Sequence, residues 1–322
     1  MTPGPLGHSG LRIAPLVFGG NVFGWTVDEK NSYRLLDACL DGGINMIDTA
    51  DTYSRWVEGN TGGESETIIG NWLEKSGKRA QVLIATKAGN EMGEGRMGLS
   101  RAYLFEAVEA SLKRLRTSYI DLYQAHRDDP GTPLEETLGA FTDLVKAGKV
   151  RAIGASNYKA PRLAQALEVS RQNGFARFES LQPWYNLYDR AEFEGPTQEL
   201  CRDEGLGVIS YFSLARGFLT GKYRTEADLA GSARRSGVRT MMNPRGMRIL
   251  AALDAIAQRI GATPAQVALA WVRGRGLTAP IASATTPVQL EELIGSMHIQ
   301  LDAEAMQQLD AASVGAEPRH PR

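Results

Sequence analysis

The feature that most constrains this chain is an alternation. Short apolar runs rich in Val, Ile and Leu recur at LVFGG (16–20), INMID (44–48), VLIATK (82–87) and YIDLYQ (119–124). They continue at VRAIGAS (150–156), ESLQ (179–182), LGVISY (206–211) and TAPIAS (278–283). Amphipathic helical patterns fill the gaps. Ser100 stands as an N-cap ahead of Leu104, Val108, Leu112 and Leu115, an apolar face at helical spacing. Thr132-Pro133-x-Glu135, Thr263-Pro264-x-Gln266 and Thr286-Pro287-x-Gln289 predict capping boxes with proline at the first helical position. Helical patterns run into glycine before the next strand at Gly42-Gly43, Gly148, Gly205 and Gly261.

A run that is apolar throughout suits a strand covered on both faces, and covered strands joined by helices are parallel. Eight such runs in 322 residues, with no Pro/Ser-rich linker, composition shift or repeat, predict one domain over 1–322. The fold class is α/β, a single (β/α)8 (TIM) barrel. An open doubly wound sheet is the competing topology. The GxGxxG at 93–98 would favour it, but residues 88–92 intervene after Lys87 and the helix begins only near Ser100. A dinucleotide-binding turn needs the strand to run straight into the first glycine, so this segment reads as a flexible loop.

Charge excludes some partners. Lys plus Arg is 36 and Asp plus Glu is 37, a net charge of −1, unlike a chain built to hold nucleic acid or an anionic membrane. No apolar run approaches the roughly 18 residues of a membrane span, and the N-terminus has no signal-peptide pattern. Cys39 and Cys201 form no CxxC, and His8, His126, His298 and His320 form no ligand cluster. The expectation is a cytoplasmic protein without a metal, acting on small molecules.

In a (β/α)8 barrel the reactive groups gather at the C-terminal ends of the strands. Here the second run ends at Asp48 with Tyr53 just beyond it, the third at Lys87, and the fourth leads into His126. The fifth ends at Ser156-Asn157, the sixth at Gln182 and the seventh at Tyr211. Each residue alone has an ordinary structural reading, as a loop cap, a strand end or a half-buried aromatic. Converging on one barrel face, an acid, a phenol, an amine and an imidazole suit carbonyl reduction. A tyrosine hydroxyl can protonate a developing alkoxide if a neighbouring lysine lowers its pKa and an aspartate holds the lysine charge. A histidine orients the carbonyl. No side chain supplies a hydride, so a nicotinamide cofactor is implied.

The segments LGHSGLRIAPLVFGG, INMIDTADTY, VLIATK, DLYQAHRDD, AIGASNY, LQPWYNL, ISYFSLARGFLTGKY and PIASATTPVQLEE resemble the successive signatures of the aldo-keto reductases. The resemblance is to a bacterial-type, NAD(P)H-dependent member and runs from about Leu6 to near Ala312. It implies a (β/α)8 barrel with an N-terminal β-hairpin and extra helices near the C-terminus. It also implies a catalytic tetrad of Asp48, Tyr53, Lys87 and His126, with Tyr53 as proton donor.

By the same resemblance Ser156, Asn157 and Gln182 hold the nicotinamide carboxamide and Tyr211 stacks on its ring. Phe212, Ser213, Leu214, Arg216, Gly217 and Lys222 follow the pyrophosphate. Ser283, Thr285, Gln289 and Glu292 meet the adenosine end, near a helix N-terminus. Two departures stand out. Ser283 occupies a position that is often basic or glycine in the family, and Leu293 one that is often asparagine. No Lys or Arg lies between Leu277 and Ile294, so NADP(H) is the family expectation and NAD(H) is not excluded.

Residues 229–253 contain no acid but carry Arg234, Arg235, Arg239, Arg245 and Arg248. They are expected either to fold over the cofactor phosphates as a loop or to remain a solvated surface run. Phe23, Trp25, Trp56 and Trp184 are candidates for lining a pocket for an apolar carbonyl substrate. Only residues 313–322 follow the last helical pattern, which by the family resemblance implies an open, permissive pocket. A nucleotide-binding regulatory subunit, resembling the potassium-channel β subunits on the same fold, remains the alternative. An unrelated barrel enzyme would need all these matches to be accidental.

Overall fold

The computed structural model of the protein describes residues 2–315. An antiparallel hairpin, β1 (Gly4–Pro5) with β2 (Arg12–Ile13), precedes a strand–helix alternation. This runs β3 (Val17–Gly19), α1 (Glu29–Asp41), β4 (Met46–Asp48), α2 (Glu64–Ser76), β5 (Leu83–Ala88), α3 (Arg101–Leu115), β6 (Ile120–Ala125) and α4 (Leu134–Lys146). It continues with β7 (Val150–Ser156), α5 (Ala160–Asn173), β8 (Phe178–Gln182), α6 (Pro196–Asp203) and β9 (Gly207–Ser210). After β9 come α7 (Arg235–Arg239), α8 (Pro244–Ile260), α9 (Pro264–Gly274), β10 (Ala279–Ala282), α10 (Pro287–Ser296) and α11 (Ala303–Ser313).

The strands close into a barrel in the order β10-β3-β4-β5-β6-β7-β8-β9, every pair parallel. This is the (β/α)8 barrel the alternation predicts, and closure excludes the open sheet. Successive side chains of a strand face opposite ways, so each apolar run supplies two cores. Val17, Met46, Ala85, Leu122, Ala152, Ile209 and Ala279 pack inside the barrel. Phe18, Ile47, Ile84, Tyr123, Ile153 and Leu181 pack outward against the helices.

Leu6, Leu11 and Ile13 of the hairpin join the inner cluster, so the hairpin plugs the end where the strands begin. Gly7 has φ +55, and a Cβ there would sit 2.2 Å from the Glu179 carbonyl oxygen, so this turn requires glycine. No helix of the described residues is long and apolar enough to cross a membrane.

Local signals mostly match the observed elements. Ser100 accepts from the Tyr103 amide, and Thr263 with Gln266 forms a full capping box. Thr286 accepts from the Gln289 amide, but the Gln289 side chain turns instead to Thr285. The box expected at Thr132 does not form. Its hydroxyl donates to Asp129 Oδ2 at 2.6 Å, and α4 starts at Leu134 without a side-chain cap. Asp129 is an ionisable acceptor that also gathers the Leu99 and Gly131 amides, and it outcompetes the helix terminus. The GxGxxG at 93–98 lies in the loop between β5 and α3, which begins only at Arg101.

Candidate active site

Following the inward positions two residues further along each strand leads from the apolar interior to a polar layer. Met46 is succeeded by Asp48, Ala85 by Lys87, Leu122 by Gln124, Ser180 by Gln182, Ile209 by Tyr211, and Ile281 by Ser283. The strand period alone aims these groups into the mouth of the barrel. Gly154 leaves the space they need, since a Cβ there would come within 2.4 Å of Ser180 Oγ and 3.2 Å of Gln124 Cγ.

At this layer Lys87 Nζ donates to Asp48 Oδ2 at 2.8 Å, to the Thr49 carbonyl at 2.7 Å and to Tyr53 Oη at 2.9 Å. Lys87 and Asp48 are almost completely buried. Tyr53 Oη also reaches Asp48 Oδ2 at 3.2 Å, and the His126 ring lies edge-on to Tyr53 with centroids 6.2 Å apart. The structure therefore brings Asp48, Tyr53, Lys87 and His126 into one cluster. His126 Nδ1 is buried without a hydrogen-bond partner among the described residues, on the wall of a cavity.

Burial dominates the electrostatics. It pushes the Tyr53 hydroxyl well above its ordinary range, and the Asp48 carboxylate pushes the same way. The expectation that Lys87 lowers the tyrosine is corrected here. The ammonium is shared with Asp48 and the Thr49 carbonyl, and desolvation of a phenolate outweighs it. Burial likewise draws Lys87 below its ordinary value against the opposing pull of Asp48. His126 is held well below its ordinary value by burial, with Lys87 and Arg127 adding to the effect, so its imidazole is neutral. Behind the cluster lies Asp51, buried with both carboxylate oxygens unpartnered among the described residues and its pKa raised to about 8 by burial.

A cavity of about 860 Å³ opens onto this layer. Every residue expected at the cofactor lies on its wall: Ser156, Asn157, Gln182 and Tyr211, then Phe212, Ser213, Leu214, Arg216, Gly217 and Lys222, and finally Ser283, Thr285, Gln289 and Glu292. Asn157, at φ +61, turns its amide nitrogen to the His126 carbonyl and to Ser156 Oγ, while its oxygen accepts from Tyr211 Oη at 2.7 Å. After β9 the chain takes left-handed conformations at Phe212, Ala215, Arg216 and Gly217, folding its backbone against the cavity. The volume lies in the range of small-molecule and cofactor sites. Together with Arg216, Lys222 and the N-terminus of α10, the wall fits a dinucleotide.

The other expected residues are placed differently. Trp56 lines the cavity and is 53% exposed. Phe23 is fully buried and stacks on Phe18, which makes it core rather than pocket. Trp25 packs edge-on against Trp56, and Trp184 packs against Phe212 and Tyr211 and donates to Asp189; neither lines the cavity.

The arginine-rich stretch is not one loop, because α7 and the start of α8 run through it. Among its five arginines only Arg234 reaches the cavity wall, lying over the Trp25 ring at 5.4 Å. Arg235 is exposed, and Arg239 pairs with Glu226. Arg245 and Arg248 donate to carbonyls at the end of α11 and beyond it. Of the short tail at 313–322, residues 316–322 lie outside the described residues, as does His320.

Several participants went unnoticed in the sequence. Gln124 approaches Asp48 Oδ1 at 3.5 Å, and Asn21, Asn90 and Arg127 line the cavity. Counting by two from the inward apolar residue of β6 would have found Gln124. The loop residues carry no such periodic signal.

The sequence matches the family described as "Aldo/keto reductase family" over residues 15–314. It is 36% identical over 314 residues to the uncharacterized oxidoreductase YrpG of Bacillus subtilis, covering 95% of this chain and 94% of that protein. It is 37% identical over 292 residues to the aldo-keto reductase YhdN of the same organism, covering 88% and 84%. To the versiconal hemiacetal acetate reductase of Aspergillus parasiticus it is 32% identical over 335 residues, covering 95% of each chain.

Proposed function

The chain belongs to the aldo/keto reductase family and is thereby an NAD(P)H-dependent oxidoreductase, and we propose that it reduces an aldehyde or ketone to the alcohol with Tyr53 as proton donor. The observation that carries this reading is the position of Tyr53 Oη, 2.9 Å from Lys87 Nζ beside the cavity that fits the dinucleotide.

The chemistry a reduced nicotinamide would supply when bound there is a hydride for the carbonyl carbon. Ser156, Asn157 and Gln182 would orient the carboxamide end, Tyr211 would support the ring, and Arg216 and Lys222 would meet the pyrophosphate. Tyr53 gives its proton to the carbonyl oxygen as negative charge develops on it. Its raised pKa keeps that proton in place until the oxygen becomes basic. Lys87 stabilises the resulting phenolate, and Asp48 holds the lysine in position. Neutral His126 donates one ring N–H to the carbonyl oxygen and orients it. A solvent proton then restores Tyr53.

Ser283, Thr285, Gln289 and Glu292 form the adenosine end, where no cation follows β10 before Ile294. NADP(H) remains the family expectation, and this end provides little discrimination against NAD(H).

The test is loss of reduced-nicotinamide absorbance with NADPH or NADH and an activated aromatic aldehyde. Turnover that Tyr53→Phe lowers by about a hundredfold or more, with cofactor affinity kept, is the expected result. Cofactor binding without turnover across a panel of aldehydes and ketones would overturn the reading and favour a regulatory subunit.

A further inference from the structure

Resting on the reductase reading, we propose that Arg127 selects carbonyl substrates that carry a carboxylate or a comparable small anion. The barrel order divides the cavity wall in two. The residues assigned to the cofactor all end or follow β7, β8, β9 and β10. The opposite half belongs to β3 to β6 and the loops after them, and there Trp56, Asn90, His126 and Arg127 line the wall, with the Trp56 and His126 rings edge-on to Tyr53. Among the described lining residues of that half only two are charged, Asp48 and Arg127. Asp48 is held by Lys87. Arg127, which is exposed, is therefore the one cation among the described lining residues of that half, and no described carboxylate pairs with it.

Its lack of a partner is built into the loop. The two acids that follow it are both committed elsewhere. Asp128 takes Arg162 Nε at 2.9 Å, and Asp129 gathers Thr132 and the Leu99 and Gly131 amides. Arg127 makes no ion pair or hydrogen bond with any described residue. It stands directly after His126, close enough for its charge to act on the imidazole.

Asn90, two residues past the end of the adjacent β5, has a buried amide oxygen that also lacks a partner among the described residues. This half of the wall thus offers a free guanidinium and an unsatisfied amide beside the exposed face of Trp56. That combination suits a short polar substrate better than a hydrocarbon. A guanidinium matches a carboxylate in a two-point, charge-assisted contact, and it would hold the substrate anion while the carbonyl lies at Tyr53.

The experiment compares 4-formylbenzoate with its neutral methyl ester in the wild type, Arg127→Met, Arg127→Lys and Arg127→Glu. At low ionic strength the wild type is expected to favour the anion in kcat/KM by about tenfold or more, chiefly through KM. Arg127→Lys keeps most of the preference, Arg127→Met levels it, and Arg127→Glu reverses it. Added salt weakens the preference in the wild type and not in Arg127→Met. Turnover of the ester with an anion-to-ester ratio that none of the variants moves would overturn this proposal while leaving the reductase reading intact. Turnover of neither compound in the wild type, although NADPH binds, would overturn both.

Discussion

The side-chain amide of Gln182 donates to Asp48 Oδ1 at 2.8 Å, across the mouth of the barrel from the strand that carries Lys87. Lys87 holds the other carboxylate oxygen at the same distance. Asp48 is thereby fixed from both sides, which fixes the direction in which the ammonium points toward Tyr53. Three strands that share no local sequence relationship set one hydrogen-bond geometry.

Breaking this clamp should separate stability from activity. Asp48→Asn leaves the buried Lys87 charge without its carboxylate and is expected to cost about 3–5 kcal/mol. Pairing it with Lys87→Met removes the stranded charge and restores most of that stability, but not turnover. Urea unfolding midpoints and reductase rates on the same samples check both halves. Restored stability accompanied by restored turnover would refute the role given to the pair.

His126 is predicted to remain neutral throughout the range in which an ordinary histidine titrates, near 6.5. Desolvation penalises its charged form, and the Lys87 and Arg127 charges oppose a further cation beside them. In a nuclear magnetic resonance titration its ring resonances, assigned through His126→Gln, should not move between pH 8 and 5.5. A midpoint at the ordinary value would contradict the electrostatics described here.

Asp51 gives stability a definite pH dependence. Its folded pKa, about 8, lies above the ordinary carboxylate value, so the folded protein keeps this proton after the unfolded chain has lost it. Stability should therefore fall as pH rises from about 4 to about 8, by up to about 1.4 kcal/mol per pH unit from this group, and level off beyond. Asp51→Asn mimics the neutral carboxyl and removes that slope. Unfolding free energies of both proteins at pH 5, 6.5 and 8 should diverge steadily, the variant gaining. Parallel curves would exclude a protonated Asp51.

Of the neighbouring arginines 234 and 235, only the first is expected to matter for the cofactor. Arg234 lines the cavity and Arg235 is exposed. A lost charge-assisted contact of about 1.5–3 kcal/mol corresponds to a rise of about tenfold or more in the NADPH dissociation constant for Arg234→Ala. Arg235→Ala should leave that constant unchanged. Fluorescence titration measures both, and equal effects would restore the picture of one undivided basic clamp.

Some of this site was legible in the sequence because it follows from strand periodicity. Asp48, Lys87, Gln182 and Tyr211 end apolar runs, and a period of two carries them to the same face as the inward residues before them. His126 and Asn157 sit one step past a strand, where the chain turns over the mouth. Phe23 is core and not pocket because an aromatic in a loop after a strand can pack down onto Phe18 as readily as across the opening. The missing cap at Thr132 has a similar origin. The hydroxyl had a choice of partners, and Asp129 was nearer and stronger than the end of α4.

By itself the sequence determined the barrel, several helix starts and most of the polar residues that crown the strands, because local periodicity and capping chemistry govern those. Only the tertiary structure decided which of these groups keep their protons and which remain unpartnered. Tyr53, His126 and Asp51 owe their pKa shifts first to burial, and Arg127 owes its free charge to Arg162 and the loop amides having taken the neighbouring acids. Burial and competition for partners depend on segments far apart in the chain, and no local pattern encodes them.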